Sequence, residues 1–322
     1  MMADYSKCNA YGDNFDPYPE MDEVIADLTK TIEMEANQAL NYVKRGSAYW
    51  TKGNYDKAIG DFTKAIELGD NSVYYDRGSV HRMKGEYDKA ISDLNRFSEV
   101  IHDSPAAYWG RGEVYVKSGE YDKAIAEFNK PVEICPDDSS AYRHRGMAYY
   151  DMGKYDKAVA DLNKAVDLKA DDTNIYQRGW LYSCIGEYDK AVTDFNRLIE
   201  LDPVEGYYSR GWAYYEKGDY EEAITDFTTL INMKPHSSEF FSDRANVYLA
   251  IGEIDKAISD LTQAIALGDI YEYYDRGHAY KVLGKKQEAI ADFEAFISLT
   301  KDPEIVGMVE QAKKEIAGLS TS

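Results

Sequence analysis

Residues 53–62 read GNYDKAIGDF, and residues 119–128 read GEYDKAIAEF. Variants of this segment recur along the chain, and an Arg-Gly pair precedes each one. The pairs fall at 45–46, 77–78, 111–112, 145–146, 178–179, 210–211 and 276–277, with Arg244-Ala245 as a variant. From Gly46 to Gly277 is 231 residues in seven steps, a mean of 33. A fixed period of this length marks a repeat architecture, in which each unit is one supersecondary element. Each unit reads as an amphipathic helix, a Gly, a short turn and a second amphipathic helix.

Numbering each unit so that its first Gly is position 8 aligns the rest. Units begin near Leu40, Asn71, Pro105, Ser139, Asp172, Val204, Ser238 and Ile270. Position 4 is aromatic in all but Ile175, and position 11 is Tyr in all but His81. Position 20 is always Ala, from Ala58 to Ala289, and position 24 is always Phe or Leu, from Phe62 to Phe293. Positions 4, 8, 11, 20, 24 and 27 put one apolar stripe on each helix. Gly at 8 and Ala at 20 permit close helix approach. Gly at position 15 suits a left-handed cap ending the first helix. Asp at position 18, as in Asp56 and Asp122, lies in the first turn of the second helix, where negative charge is favoured. One such unit cannot bury its own stripe, so stacked units share a continuous core.

This pattern resembles the tetratricopeptide repeat, a helix–turn–helix unit of about 34 residues. The resemblance covers roughly residues 20–300. It implies an all-α fold, a right-handed superhelical solenoid of helical hairpins. The expected organisation is an N-terminal segment over 1–38 with a degenerate half-repeat and capping helix, eight repeats over 39–301, and a C-terminal capping helix and tail over 302–322. Pro131 at position 27 predicts a kink or early helix end near Glu127–Pro131. Residues 304–319 read as a single capping helix with Val306, Val309, Ile316 and Leu319 inward, followed by a loose tail.

Composition narrows the function. The 322 residues carry 37 Lys and Arg against 58 Asp and Glu, a formal charge of −21. So negative a surface repels polyanions, which argues against nucleic acid or an anionic membrane as the main partner. Three cysteines make neither a disulfide framework nor a metal cluster. The absence of a long apolar run predicts no membrane span. The start MMADYSKCNA lacks the apolar core of a signal peptide, so a cytoplasmic protein is expected.

Eight of the 12 arginines occupy position 7: Arg45, Arg77, Arg111, Arg145, Arg178, Arg210, Arg244 and Arg276. Position 23 is acidic throughout: Asp61, Asp93, Glu127, Asp161, Asp194, Asp226, Asp260 and Asp292, with Asp27 in the half-repeat. A periodic Arg matched by a periodic carboxylate reads as a structural ion-pair ladder, since the guanidinium fork fits a carboxylate. The alternative is a basic stripe for an anionic ligand, which the matched acids would cancel. Each Arg can pair within its own unit, leaving Asp27 over, or with the preceding unit, leaving Asp292 over. The sequence does not choose between them.

In the resembled family, positions 2, 5, 9, 12 and 13 of the first helix line an inner groove that receives partner segments. Trp109, Tyr176, Tyr208 and Tyr274 hold position 5, Trp180 and Trp212 position 9, and Tyr150 and Tyr215 position 12. Core packing does not demand aromatics there, and Tyr and Trp are enriched at binding hot spots. With Arg143 and Glu216 they form the candidate peptide-binding set. Tyr176 with Trp180, and Tyr208 with Trp212, are four apart and are expected to stack in pairs. The competing reading is that these rings only fill a narrow groove. The family's carboxylate-tail clamp is absent, since Val43, Ser47 and Asp76 stand at three of its positions.

Catalytic signatures are lacking: no HExxH, GxSxG, phosphate-loop or dinucleotide fingerprint occurs. His81 replaces a packing Tyr. Cys184 has no evident His partner, and Cys135 precedes Pro136 at a helix end. The expectation is a non-enzymatic scaffold or adaptor with no cofactor and no metal, binding a protein or peptide segment in its aromatic groove. The alternative is a structural or self-assembling solenoid acting through its ends or its acidic convex surface.

Overall fold

A computed structural model describes residues 19–102, 104–300 and 305–321. Among these residues every element is helical and no strand occurs. The half-repeat position at Tyr11-Gly12 lies outside the described residues.

The described residues divide into two compact bodies, one within residues 19–170 and the other within residues 171–321. The first body contains α1 (Pro19–Met34) and four hairpins. These are α2 (Ala39–Thr51) with α3 (Tyr55–Glu67), α4 (Tyr74–Met83) with α5 (Tyr87–Val100), α6 (Pro105–Lys117) with α7 (Tyr121–Ile134), and α8 (Ser139–Asp151) with α9 (Tyr155–Leu168). The second body contains α10 (Asp172–Cys184) with α11 (Tyr188–Leu201), α12 (Pro203–Lys217) with α13 (Tyr220–Met233), α14 (Ser238–Ala250) with α15 (Ile254–Ala266), α16 (Glu272–Val282) with α17 (Lys286–Leu299), and the final helix α18 (Val306–Thr321).

The turn inside each hairpin has one recurring construction. In the first, Gly53 N–H donates to Trp50 O and Asn54 N–H to Tyr49 O, both at 2.8 Å. These two bonds are a Schellman cap, which needs a left-handed residue at its centre. Gly53 has φ +71° there, and Gly218 has φ +91° in the equivalent turn of the second body. Asp56, Asp88, Asp122, Asp156, Asp189 and Asp255 all fall in the first turn of their helices, where the amino-terminal dipole favours them.

Position 24 forms the core of each hairpin. Phe62, Phe128, Phe227 and Phe293 are fully buried, each burial contributing about 2 kcal/mol. The small residues opposite make room for them. A Cβ on Gly112 would come within 2.5 Å of the Phe128 ring. First helices of successive units also touch one another, α4 on α6 and α6 on α8 in one body, α10 on α12 in the other. This side of the hairpins carries the candidate groove residues.

Two expectations are corrected. Helix α7 does not end early at Pro131 but runs to Ile134, and Pro131 O accepts the Cys135 N–H at 2.8 Å. The proline lies within the last turn, so it removes one backbone bond while its ring is buried in the core. At the far end, Val306 is 57% exposed, and Ala312 and Met308 join Val309, Ile316 and Leu319 against Phe293 and Phe296. The helix continues through Ser320, whose hydroxyl donates to Ile316 O, so this part of the tail is not loose.

Candidate functional site

The arginines of position 7 pair within their own hairpins. Arg45 donates from Nε to Asp61 Oδ2 at 2.8 Å and from Nη2 to Asp61 Oδ1 at 2.7 Å. The same two-bond arrangement joins Arg77 to Asp93, Arg145 to Asp161, Arg178 to Asp194, Arg210 to Asp226, Arg244 to Asp260 and Arg276 to Asp292. Arg111 meets Glu127 differently, with Nε and Nη2 both on Oε2. The extra methylene of Glu turns the carboxylate outward, leaving Glu127 22% exposed where Asp194 and Asp226 are 2% exposed.

Asp27 stands apart from this ladder. Its carboxylate is 70% exposed and meets Lys30. The shared offset is 16 residues, and 16 residues before Asp27 lies Tyr11, which offers no guanidinium.

Seven of these guanidiniums have a third anchor that the sequence reading missed. Nη1 of Arg45 donates to Thr29 Oγ1, of Arg77 to Thr63, of Arg111 to Ser98, of Arg145 to Asn129, of Arg210 to Asn196, of Arg244 to Thr228 and of Arg276 to Thr262. All but Ser98 occupy position 25 of the preceding second helix. One Arg therefore ties three helices together. A periodic Thr or Asn two residues after the periodic acid was the available signal. Tyrosines complete the setting: Tyr42 and Tyr49 flank Arg45, Tyr207 and Tyr214 flank Arg210, and Tyr273 and Tyr280 flank Arg276. The hydrogen bond to its Asp, above all, holds the guanidinium of Arg45, Arg145 and Arg210 above its ordinary pKa. With each of these guanidiniums paired to a carboxylate, the arginines present no open basic stripe.

The candidate groove residues divide between the two bodies. In the first, Trp109 on α6 stacks on His144 of α8 at 5.3 Å between ring centroids. Its indole Nε1 is enclosed without an acceptor. Burial holds the His144 imidazole below its ordinary pKa, with Glu113 opposing that shift. Arg143 is half-buried on α8, and Tyr150 lies 5.8 Å from Tyr155.

In the second body, Tyr176 and Trp180 on α10 and Tyr208, Trp212 and Tyr215 on α12 are all half-buried, while Glu216 is exposed. Trp212 meets Phe227 and Tyr215 edge-on at 5.7 and 5.4 Å, and Tyr208 tilts against Phe240 at 6.1 Å. Trp212 thus packs on Phe227 of α13 and on Tyr215 of its own helix, and Tyr208 on Phe240 of α14. Tyr208 Oη also donates to Glu239 at 3.2 Å. Tyr274 on α16 is half-buried and rests against His278, Phe293 and Phe296 at 4.6, 5.8 and 5.3 Å.

Two polar groups unforeseen in the sequence also lie on these first helices. Asp243 on α14 is 7% exposed, and its Oδ2 is enclosed with no hydrogen-bond donor. Gln177 Oε1 on α10 is likewise enclosed without a donor. Both hold position 6. Among the described residues no group of three or more His, Cys, Asp or Glu side chains is placed to hold a metal. Nor is any helix among them long and apolar enough to cross a membrane.

Family models described as tetratricopeptide repeat match residues 43–99, 139–172, 174–205, 204–237 and 273–303, and one described as TPR repeat matches 112–153. This chain belongs to the tetratricopeptide repeat family. A tetratricopeptide repeat protein from Parabacteroides merdae is 18% identical, with 88% of this chain and 99% of that one covered at a TM-score of 0.50. The C-terminal part of a TPR repeat-containing protein from Cytophaga hutchinsonii is 17% identical, with 73% and 99% covered at 0.53. At such identities the likeness concerns the fold. No curated protein matches the sequence. Tetratricopeptide repeats form a non-catalytic fold that serves protein–protein interaction, and this chain is a protein-interaction scaffold.

Proposed function

We propose that the tetratricopeptide hairpins of residues 171–322 bind an extended or helical segment of a partner protein against the first helices α10 and α12. The observation that supports this reading is the state of five rings. Tyr176, Trp180, Tyr208, Trp212 and Tyr215 keep part of their surface in water, whereas Phe195 and Phe227 on the second helices are buried. Rings seated on a packed floor and open on one face supply contact area with little further entropy loss on binding. Glu216, exposed beside them, offers a carboxylate to a Lys or Arg of the ligand. Trp109, Arg143 and Tyr150 form a separate set in the first body, suited to a second contact. The eight-repeat organisation over 39–301, with caps at either side, belongs to the same proposal.

The test is calorimetric titration of a partner segment into the full chain and into the Trp180→Ala/Trp212→Ala variant. A weakening of at least tenfold, about 1.4 kcal/mol, with unchanged helical circular dichroism is expected. Unchanged affinity would move the site to the convex surface or the ends of the array.

A further inference from the structure

Asp243 has no counter-charge. Its carboxylate makes no hydrogen bond or ion pair among the described residues, although it is 7% exposed and its Oδ2 is fully enclosed. A buried carboxylate without a partner is costly and persists where something other than stability retains it. Burial first, then the negative charges of Glu239 and Glu272, push the group well above the usual carboxylate range. Those two acids also locate it. Glu239 lies one turn earlier on the same face of α14, and Glu272 lies on α16. Asp243 therefore lies on a first helix, with acids of its own helix and of the next first helix near it.

The surroundings all favour a positive ligand. Glu239 is exposed and accepts from Tyr208 Oη, which joins the acidic site to the aromatic surface of α12. Glu205 accepts from Ser209 at 3.0 Å on that same helix. Asp243, Glu239 and Glu272 do not form a metal-holding group. A guanidinium or ammonium on a flexible stem fits better, because it brings several N–H donors and passes its methylenes over the rings. The excess of 58 acidic over 37 basic residues would steer a basic segment toward the chain.

We infer that Asp243, with Glu239 and Glu272 around it, is a receptor for one Lys or Arg side chain of the bound partner segment. This rests on the groove reading above and assigns the segment a basic residue at one register position. The incoming cation meets the carboxylate at the edge that leaves the residue 7% exposed, and the negative charges of Glu239 and Glu272 favour it there. Specificity arises because a segment lacking that residue leaves the buried acid unpaired.

The experiment selects a phage-displayed random dodecapeptide library on the intact chain, on Asp243→Asn and on Trp180→Ala/Trp212→Ala. Peptides selected on the intact chain should share one fixed Lys or Arg beside apolar residues. Replacing that residue with citrulline in one synthetic peptide should weaken binding at least tenfold by fluorescence anisotropy. Asp243→Asn should weaken the basic peptide equally and leave the citrulline peptide unaffected. Asp243→Asn should also unfold at a temperature no lower than the parent, since it removes an uncompensated charge. A lower midpoint would mean that Asp243 has an internal partner and would overturn the inference. So would selected peptides that depend on Trp180 and Trp212 but share no basic residue, or share one indifferent to Asp243→Asn. Peptides indifferent to the tryptophans, or no enrichment at all, would instead remove the groove reading itself, and this inference with it.

Discussion

Arg145 grips Asp161 with two parallel hydrogen bonds, Nε to Oδ2 and Nη2 to Oδ1, each 2.7 Å long. The side chains are 18% and 10% exposed, so the pair is largely withdrawn from water. Removing one member leaves the other charge stranded. Asp161→Ala should cost about 3 kcal/mol in urea unfolding, at the low end for a buried pair because the guanidinium edge still reaches solvent. In double-mutant cycles Asp161→Ala should couple strongly to Arg145→Ala and negligibly to Arg178→Ala, since Arg178 has its own carboxylate in Asp194. Strong coupling to Arg178 would reverse the pairing direction.

The third donor of the same guanidinium gives a second prediction. Arg145 Nη1 bonds Asn129 Oδ1 at 3.0 Å, across the seam between α7 and α8. Asn129→Ala should cost about 1.5 kcal/mol, the scale of a hydrogen bond to a charged group. Asn129→Thr should retain most of the stability, because Thr63, Thr228 and Thr262 do the same work elsewhere. A Thr variant as weak as the Ala variant would show that the seam depends on packing instead.

The repeat made the hairpins legible, since apolar stripes, capping glycines and turn lengths all follow from residue type and period. The partner of each Arg was not legible. Pairing within or between units leaves one acid over in either case, and only the crossing of the two helices decides. Position 25 escaped notice because Thr29 and Asn129 look like ordinary surface polar residues until an Arg is seen against them. Pro131 misled for a related reason: what it costs depends on its distance from the helix end, and α7 stops three residues later. The groove was legible as a choice of residue types and not as a surface. Sequence spacing cannot tell that Tyr274 rests on Phe293 and Trp212 on Phe227 while each keeps part of its surface in water.

Gly206 marks a place where a small residue is essential. Helices α11 and α12 are joined through Asp202 alone, and α12 crosses close over the end of α11. A Cβ on Gly206 would lie 2.5 Å from Ile199 N and 2.6 Å from Ile199 Cα. The obstacle is backbone, which cannot rotate away. Gly206→Ala should therefore destabilise by about 1–3 kcal/mol despite the better helix propensity of alanine. Ala at the solvent-facing Gly60 of α3, where no atom lies within 4 Å, should be neutral or slightly stabilising. Equal effects at the two sites, read from thermal midpoints, would contradict the crossing.

His81 replaces the tyrosine of position 11 in the second repeat, and the exchange rewires its turn. Where Tyr49, Tyr115 and Tyr149 hold a lysine over the ring, His81 Nδ1 instead meets Glu86 Oε2 at 2.6 Å. The hydrogen bond from His81, with those from Lys89 and Lys84, lowers the Glu86 pKa from 4.5 to about 2. An acid lowered on folding contributes stability that is complete above its unfolded pKa and is lost as pH falls through its folded one. The contribution of Glu86 should thus be intact at pH 7, decline below about pH 4.5 and vanish near pH 2. Comparing urea midpoints of the parent and Glu86→Gln should show a deficit at pH 7 that shrinks at pH 3. Carboxyl-carbon NMR should give a Glu86 midpoint near 2 in the parent. In His81→Tyr the midpoint should move back toward 4.5, only part of the way because both lysines remain. An unmoved midpoint in that variant would assign the shift to the lysines and leave His81 as packing alone.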